Sequence, residues 1–204
     1  MGNIVHFSGC HGSGKSTLIQ ELISRHPDFF LVNKKRAVPK NEDVYERTKI
    51  RLVRHYLHGL DAKVLSDEHP DKVVLSDRCV HDAEAYMRAF LDIGWVSREQ
   101  MNEYEILQNA LFSNGLATEH VIFVDATYNE AVENLQRRAR ETGITKWRED
   151  NLDYLRAVQE SYRRMYNGRA VLVVNTMDLS KRVEMCIGWM SHRFRQFDRR
   201  MTDL

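Results

Sequence analysis

Apolar residues gather in five short runs along the chain, at 3–8, 29–33, 73–76, 120–124 and 170–174. Within "VVLS", "HVIFV" and "AVLVV" they are nearly continuous rather than alternating, the pattern of strands covered on both faces. Longer polar stretches separate the runs and carry apolar positions at helical spacing, as in Leu18, Ile19, Leu22 and Ile23. Strands alternating with helices predict an α/β fold, a parallel sheet with helices on each side. Local signals set helix limits. Ser97 with Gln100 suits a capping box, Gly94 and Gly168 stop the helices before them, and Leu152, Leu155, Tyr162 and Met165 mark one buried stripe.

No repeat, low-complexity tract or linker interrupts this alternation, and 204 residues suit one medium domain, taken as 1–198. The polar tail "RRMTDL" at 199–204 is expected to be disordered. Charge changes the picture by subtraction: 30 basic and 29 acidic residues leave a net +1, which supplies no general attraction to nucleic acid or a membrane. Any positive site must therefore be local. Cys10, Cys79 and Cys186 stand far apart with no C-x-x-C pair, which suggests neither a disulfide framework nor a zinc site and fits a cytoplasmic chain. No run approaches the about 18 apolar residues of a membrane span, and the first residues lack the layout of an export signal.

The first candidate chemistry lies in "GCHGSGKST", where Gly9, Gly14, Lys15 and Ser16 complete the pattern G-x-x-x-x-G-K-[ST] around Cys10, His11, Gly12 and Ser13. Small residues let the backbone turn its N–H groups onto phosphate oxygens, and a helix starting near Lys15 adds its positive end. The predicted strand before it and helical spacing after it supply the context that the motif requires. Gly9, His11, Gly12, Ser13, Gly14, Lys15, Ser16 and Thr17 are accordingly read as the ATP-binding loop, with Lys15 reaching the β and γ phosphates and Ser16 holding Mg²⁺.

Asp77 and Arg78 end the third apolar run, at the edge of an α/β sheet where ligands bind. An acid there can hold Mg²⁺ or take a proton from a hydroxyl, and an adjacent arginine can grip an anionic oxygen. The competing reading makes Asp77 the cap of a helix beginning near Val80. A third cluster, Arg137, Arg138, Arg140, Lys146 and Arg148, is broken by Gly143 and reads as two helices joined by a basic lid over about 141–150. Such a lid excludes water and brings arginines onto the transferred phosphoryl group, although a basic helix end facing solvent has the same composition.

In their order, "GCHGSGKST", "SDRCVHDAEAY", "VIFVDATYNEAVENLQRRAR" and "NLDYLRAVQESYRRMY" resemble the thymidylate kinase and deoxynucleoside kinase group of P-loop kinases over nearly the whole chain. The resemblance implies a five-stranded parallel sheet, ATP and Mg²⁺, and a homodimer packed through helices. It matches Asp77 and Arg78 to the group's acid-arginine pair, Asp125 to the acid after the fourth strand, and Arg138 and Arg140 to the arginines that begin the lid. Thymidylate kinases commonly carry an acid where His11 stands, and R-E-P-G-G where this chain has "NKKRAVPKN". Deoxynucleoside kinases commonly place a base glutamate after the second strand and a serine after the arginine, where this chain has Cys79.

Lys34, Lys35 and Arg36 after the second strand, with Arg47, Arg51 and Arg54 on the next helix, suit an acceptor that already carries phosphate. They equally suit a solvated loop and a charged outer helix face. The leading expectation is thymidylate-kinase-like phosphoryl transfer from ATP to a nucleoside monophosphate, and the alternative is a deoxynucleoside kinase of the same fold. A regulatory NTPase is the weaker alternative, because no N-K-x-D motif or effector domain accompanies the loop.

Overall fold

In the computed structural model, which describes residues 3–33, 42–112, 120–169, 171–176 and 178–194, the phosphate-loop motif links β1 (Ile4–Ser8) to α1 (Lys15–Arg25). The chain continues through β2 (Phe30–Asn33), α2 (Val44–Glu68), β3 (Val73–Asp77), α3 (His81–Asp92), α4 (Arg98–Phe112) and β4 (Val121–Val124). It ends with α5 (Tyr128–Thr142), α6 (Leu152–Tyr166), β5 (Leu172–Val174) and α7 (Leu179–Arg193). All strand pairs are parallel, in the order β2-β3-β1-β4-β5. The α/β expectation and its five strands are thus present.

β1, β3 and β4 are buried on both faces, which explains why their runs are apolar throughout, whereas the sheet-edge strands β2 and β5 expose Val32 and Val173. On one face Val5, Phe7, Ile122 and Val124 pack with Leu18 and Leu22 of α1 and with Val183 and Met190 of α7. On the other, Val121 and Phe123 meet Tyr86 and Phe90 of α3 and Val158 and Tyr162 of α6. β1 lies between β3 and β4, so the strand order reverses about it and opens a crevice beyond the strand ends. Register sets Phe7 beside Asp77, which brings the start of the phosphate loop level with the end of β3.

The expected caps form. The Ser97 amide donates to Gln100 at 2.9 Å while the Gln100 amide donates to the Ser97 hydroxyl at 3.2 Å. Gly94 and Gly168 follow α3 and α6 with φ of 72° and 74°, a left-handed conformation that stops a helix. A second capping box, Thr127 with Glu130, starts α5.

One helix expectation needs correction. Leu155, Tyr162 and Met165 are buried, but Leu152 is 54% exposed. It is the first residue of α6 after the Asn151 cap, and Tyr154 takes the inward place in that turn by stacking on Phe90 and Trp95. Among the described residues no helix is long and apolar enough to cross a membrane. The tail 199–204 and Lys34, Lys35 and Arg36 lie outside the described residues.

Candidate active site

Glycine is required twice in the phosphate loop. At Gly9, with φ of 144°, a Cβ would lie 2.5 Å from the Val124 carbonyl oxygen, and at Gly12, with φ of 73°, 2.3 Å from that of Ala131. The loop is thus pressed against β4 and α5, and Asn134 of α5 donates to the Gly12 carbonyl at 2.9 Å. Gly14 is the N-cap of α1 and supplies no side-chain cap. The first amides of α1 therefore have no side-chain cap.

Lys15 is buried and donates to the Cys10 carbonyl at 2.6 Å and to the Ser13 hydroxyl at 2.9 Å. Burial, reinforced by the nearby Arg78 charge, lowers its pKa to about 7. Ser16 donates to the Asp77 carboxylate at 2.8 Å. The helix-cap alternative for Asp77 is not the observed arrangement: α3 has no side-chain cap, while Asp82 within its first turn accepts the Cys79 amide at 2.6 Å.

Arg78 adopts a positive φ of 99°, which turns its side chain across the crevice. Its Nη1 donates to the Gly9 carbonyl at 2.6 Å, to Tyr162 at 2.9 Å and to Asp82 at 3.0 Å. Burial alone would raise the Asp82 carboxyl, but the adjacent Arg78 outweighs it and holds the group below the usual carboxylate range. The arginine is therefore anchored by groups of the protein itself.

Lys15, Arg78 and Arg138, from three separate segments, line one cleft of about 850 Å³. Its described lining includes seven arginines and two lysines against two glutamates, so a chain of near-neutral charge concentrates positive potential in one place. Arg47, Arg51 and Arg54 of α2 line the same cleft, which rules out the charged outer face. Arg51 lies over the Tyr86 ring at 3.8 Å, and burial together with the Arg51 charge lowers Arg54 to about 10.

Of the two arginines expected to begin the lid, Arg138 faces the cleft, but Arg140 is exposed outside it, and Arg137 is there instead. Residues two apart on a helix point to different sides, so Arg138 and Arg140 do not share a face. Trp147 lines the cleft but packs edge-on against Phe90 and Tyr154, anchoring the α5–α6 connection. Asp125, at the end of β4, pairs with Arg163 at 3.0 Å. His58 is buried against Asn33 and His55 lines the cleft, and no metal-binding cluster of His, Cys, Asp or Glu occurs among the described residues.

Sequence reasoning missed Arg182, Asn134 and the partners of His11. Arg182 of α7 donates to the Ser13 carbonyl at 3.0 Å. His11 faces the Glu149 carboxylate through Nδ1 at 3.2 Å and Tyr154 through Nε2 at 3.1 Å. These partners are brought together only by the fold, and no local pattern announces them.

The sequence model of the deoxynucleoside kinase family matches residues 6–187. This chain belongs to that family. Among curated proteins no relative is found. The fold is similar to solved structures of a deoxyadenosine kinase from M. mycoides. With dCTP bound, that protein aligns with a TM-score of 0.71 at 16% identity, covering 93% of this chain and 99% of the other. With dATP bound the TM-score is 0.67 at 15% identity, covering 92% and 98%. The chain is therefore a kinase, a phosphotransferase of P-loop fold, and the family supports the deoxynucleoside kinase alternative better than the thymidylate-kinase-like expectation.

Proposed function

We propose that this kinase transfers the γ-phosphoryl group of ATP to the 5′ hydroxyl of a deoxynucleoside. The observation that carries the reading is the convergence of Lys15, Arg78 and Arg138 on one cleft. The phosphate loop and Lys15 would hold the triphosphate, whose charge restores the proton that burial removes from Lys15. Asp77 would accept the acceptor's proton at its carboxylate, and Arg78, already anchored, would steady the receiving oxygen. Arg138 would lie against charge spread over the transferred group.

The oxygens of Ser16 and Asp77, 2.8 Å apart, are the donor type that Mg²⁺ requires. Bound there, the ion would neutralise charge on the β and γ phosphates. Residues 1–198 are taken as one domain with a lid over about 141–150. A cytoplasmic location is supported by the three buried free cysteines. Exposed Val53, Leu57, Leu60 and Val64, at spacings of four and three along α2, support assembly of two copies through this helix.

A second reading, the nucleoside monophosphate acceptor, is favoured by Arg47, Arg51 and Arg54 in the cleft. ADP production measured with each deoxynucleoside and each monophosphate separates the readings. Stimulation by a deoxynucleoside supports the first, and stimulation by monophosphates alone supports the second.

A further inference from the structure

The geometry points to a positioning role for Glu149: its carboxylate fastens the lid arginine Arg138 to the phosphate loop through His11. This inference rests on the proposed kinase function, in which Arg138 meets the transferred group.

Residues 141–148 are exposed apart from the half-buried Trp147, yet Glu149 points inward and its side chain is only 2% exposed. A carboxylate leaves water only where charged or polar partners replace it. Glu149 has three. Its Oε2 accepts from Arg138 and, at 2.9 Å, from the Lys146 amide, while Oε1 faces His11 Nδ1 at 3.2 Å. Burial works to raise the Glu149 pKa, but the His11 hydrogen bond and the nearby charges hold it below the ordinary value.

Burial pushes His11 down to about 4 despite the opposing pull of Glu149, so its ring is neutral near pH 7. A neutral ring facing a carboxylate carries its proton on Nδ1 and leaves Nε2 to accept from the Tyr154 hydroxyl. His11 is thereby held on both sides. It follows Cys10, whose carbonyl holds Lys15, so one short segment of loop touches both the phosphate lysine and the lid.

An arginine side chain loses much rotamer freedom when it is fixed against a substrate. A buried carboxylate that already orients the guanidinium removes most of that loss from each turnover, and catalysis is sensitive to displacements of about 1 Å.

A double-mutant cycle on kcat tests the inference. Glu149→Gln keeps the shape and is expected to lower kcat roughly 10- to 100-fold while the KM for ATP changes by less than about threefold. In an Arg138→Ala background the same change is expected to cost less than about twofold, because the residue it positions is gone. Wild-type kcat in Glu149→Gln, or losses that multiply in the double variant, would overturn the role. If Glu149→Gln does not fold, His11→Ala replaces it in the same cycle with the same outcomes. Trypsin cleavage after Arg140, Lys146 and Arg148 without nucleotide reads the link independently of activity. It should be faster in Glu149→Gln and His11→Ala, and an unchanged rate counts against the link. Absence of ADP production by the wild type with every acceptor would instead defeat the proposed function.

Discussion

The Ser16 hydroxyl donates to Asp77 at 2.8 Å and so joins the first turn of α1 to the end of β3. Two residues 61 positions apart thereby meet where the strand order reverses. Asp77→Asn keeps the shape of this contact but removes the charge that would hold Mg²⁺ or accept a proton. Turnover is expected to fall by about 10²- to 10⁴-fold, with ATP affinity changing far less. Steady-state kinetics alongside ATP titration checks this, and equal losses in both would contradict it.

Burial, with the nearby Arg78 charge adding to it, lowers the pKa of Lys15 to about 7. At pH 8 it is therefore mostly neutral, and triphosphate binding draws its pKa back up. Binding is expected to take up as much as about one proton at pH 8, with the uptake shrinking below pH 7, where Lys15 is already charged. Calorimetry in buffers of different ionisation enthalpy reads the uptake directly. It should vanish in Lys15→Arg, whose side chain stays charged throughout.

Arg138 and Arg140 are expected to behave differently, since only Arg138 reaches the cleft. Arg138→Ala should lower kcat by roughly 10³-fold, the lower end for a catalytic arginine, with poor recovery in Arg138→Lys because lysine lacks the planar fork. Arg140→Ala should remain within about twofold of the wild type.

The fold was legible because parallel strands covered on both faces need continuous apolar runs, and "VVLSD" is buried from Val73 through Asp77. The phosphate loop was legible because two of its glycines stand where a Cβ would collide with backbone. The cleft's walls were less so. Whether Arg47, Arg51 and Arg54 face inward or outward depends on which side of α2 meets Tyr86 and Trp147, a tertiary matter that their spacing leaves open. The choice of Arg137 over Arg140 depends on the rotation of α5, fixed by Ala131 and Leu135 against Gly12. His11 and Glu149 lie too far apart in sequence for periodicity to connect them.

Stability should depend on the buried Asp82, which is fully enclosed and bonded to Arg78, Tyr162 and the Cys79 amide. Its folded pKa is depressed. Its contribution is therefore present above the unfolded value of about 3.9 and is lost as pH falls toward the folded one. Asp82→Ala strands a buried Arg78 charge and should cost about 3–5 kcal/mol, read by denaturant unfolding at pH 7. At strongly acidic pH the difference between wild type and variant should narrow.

The most direct measurement is ADP production from ATP and Mg²⁺ with each deoxynucleoside in turn, run beside Lys15→Ala. At least one deoxynucleoside is expected to stimulate ADP production well above the rate with ATP alone, with the matching 5′-monophosphate formed in equal amount and both products lost in the variant. ADP production that no deoxynucleoside stimulates, or that persists in Lys15→Ala, would contradict the account.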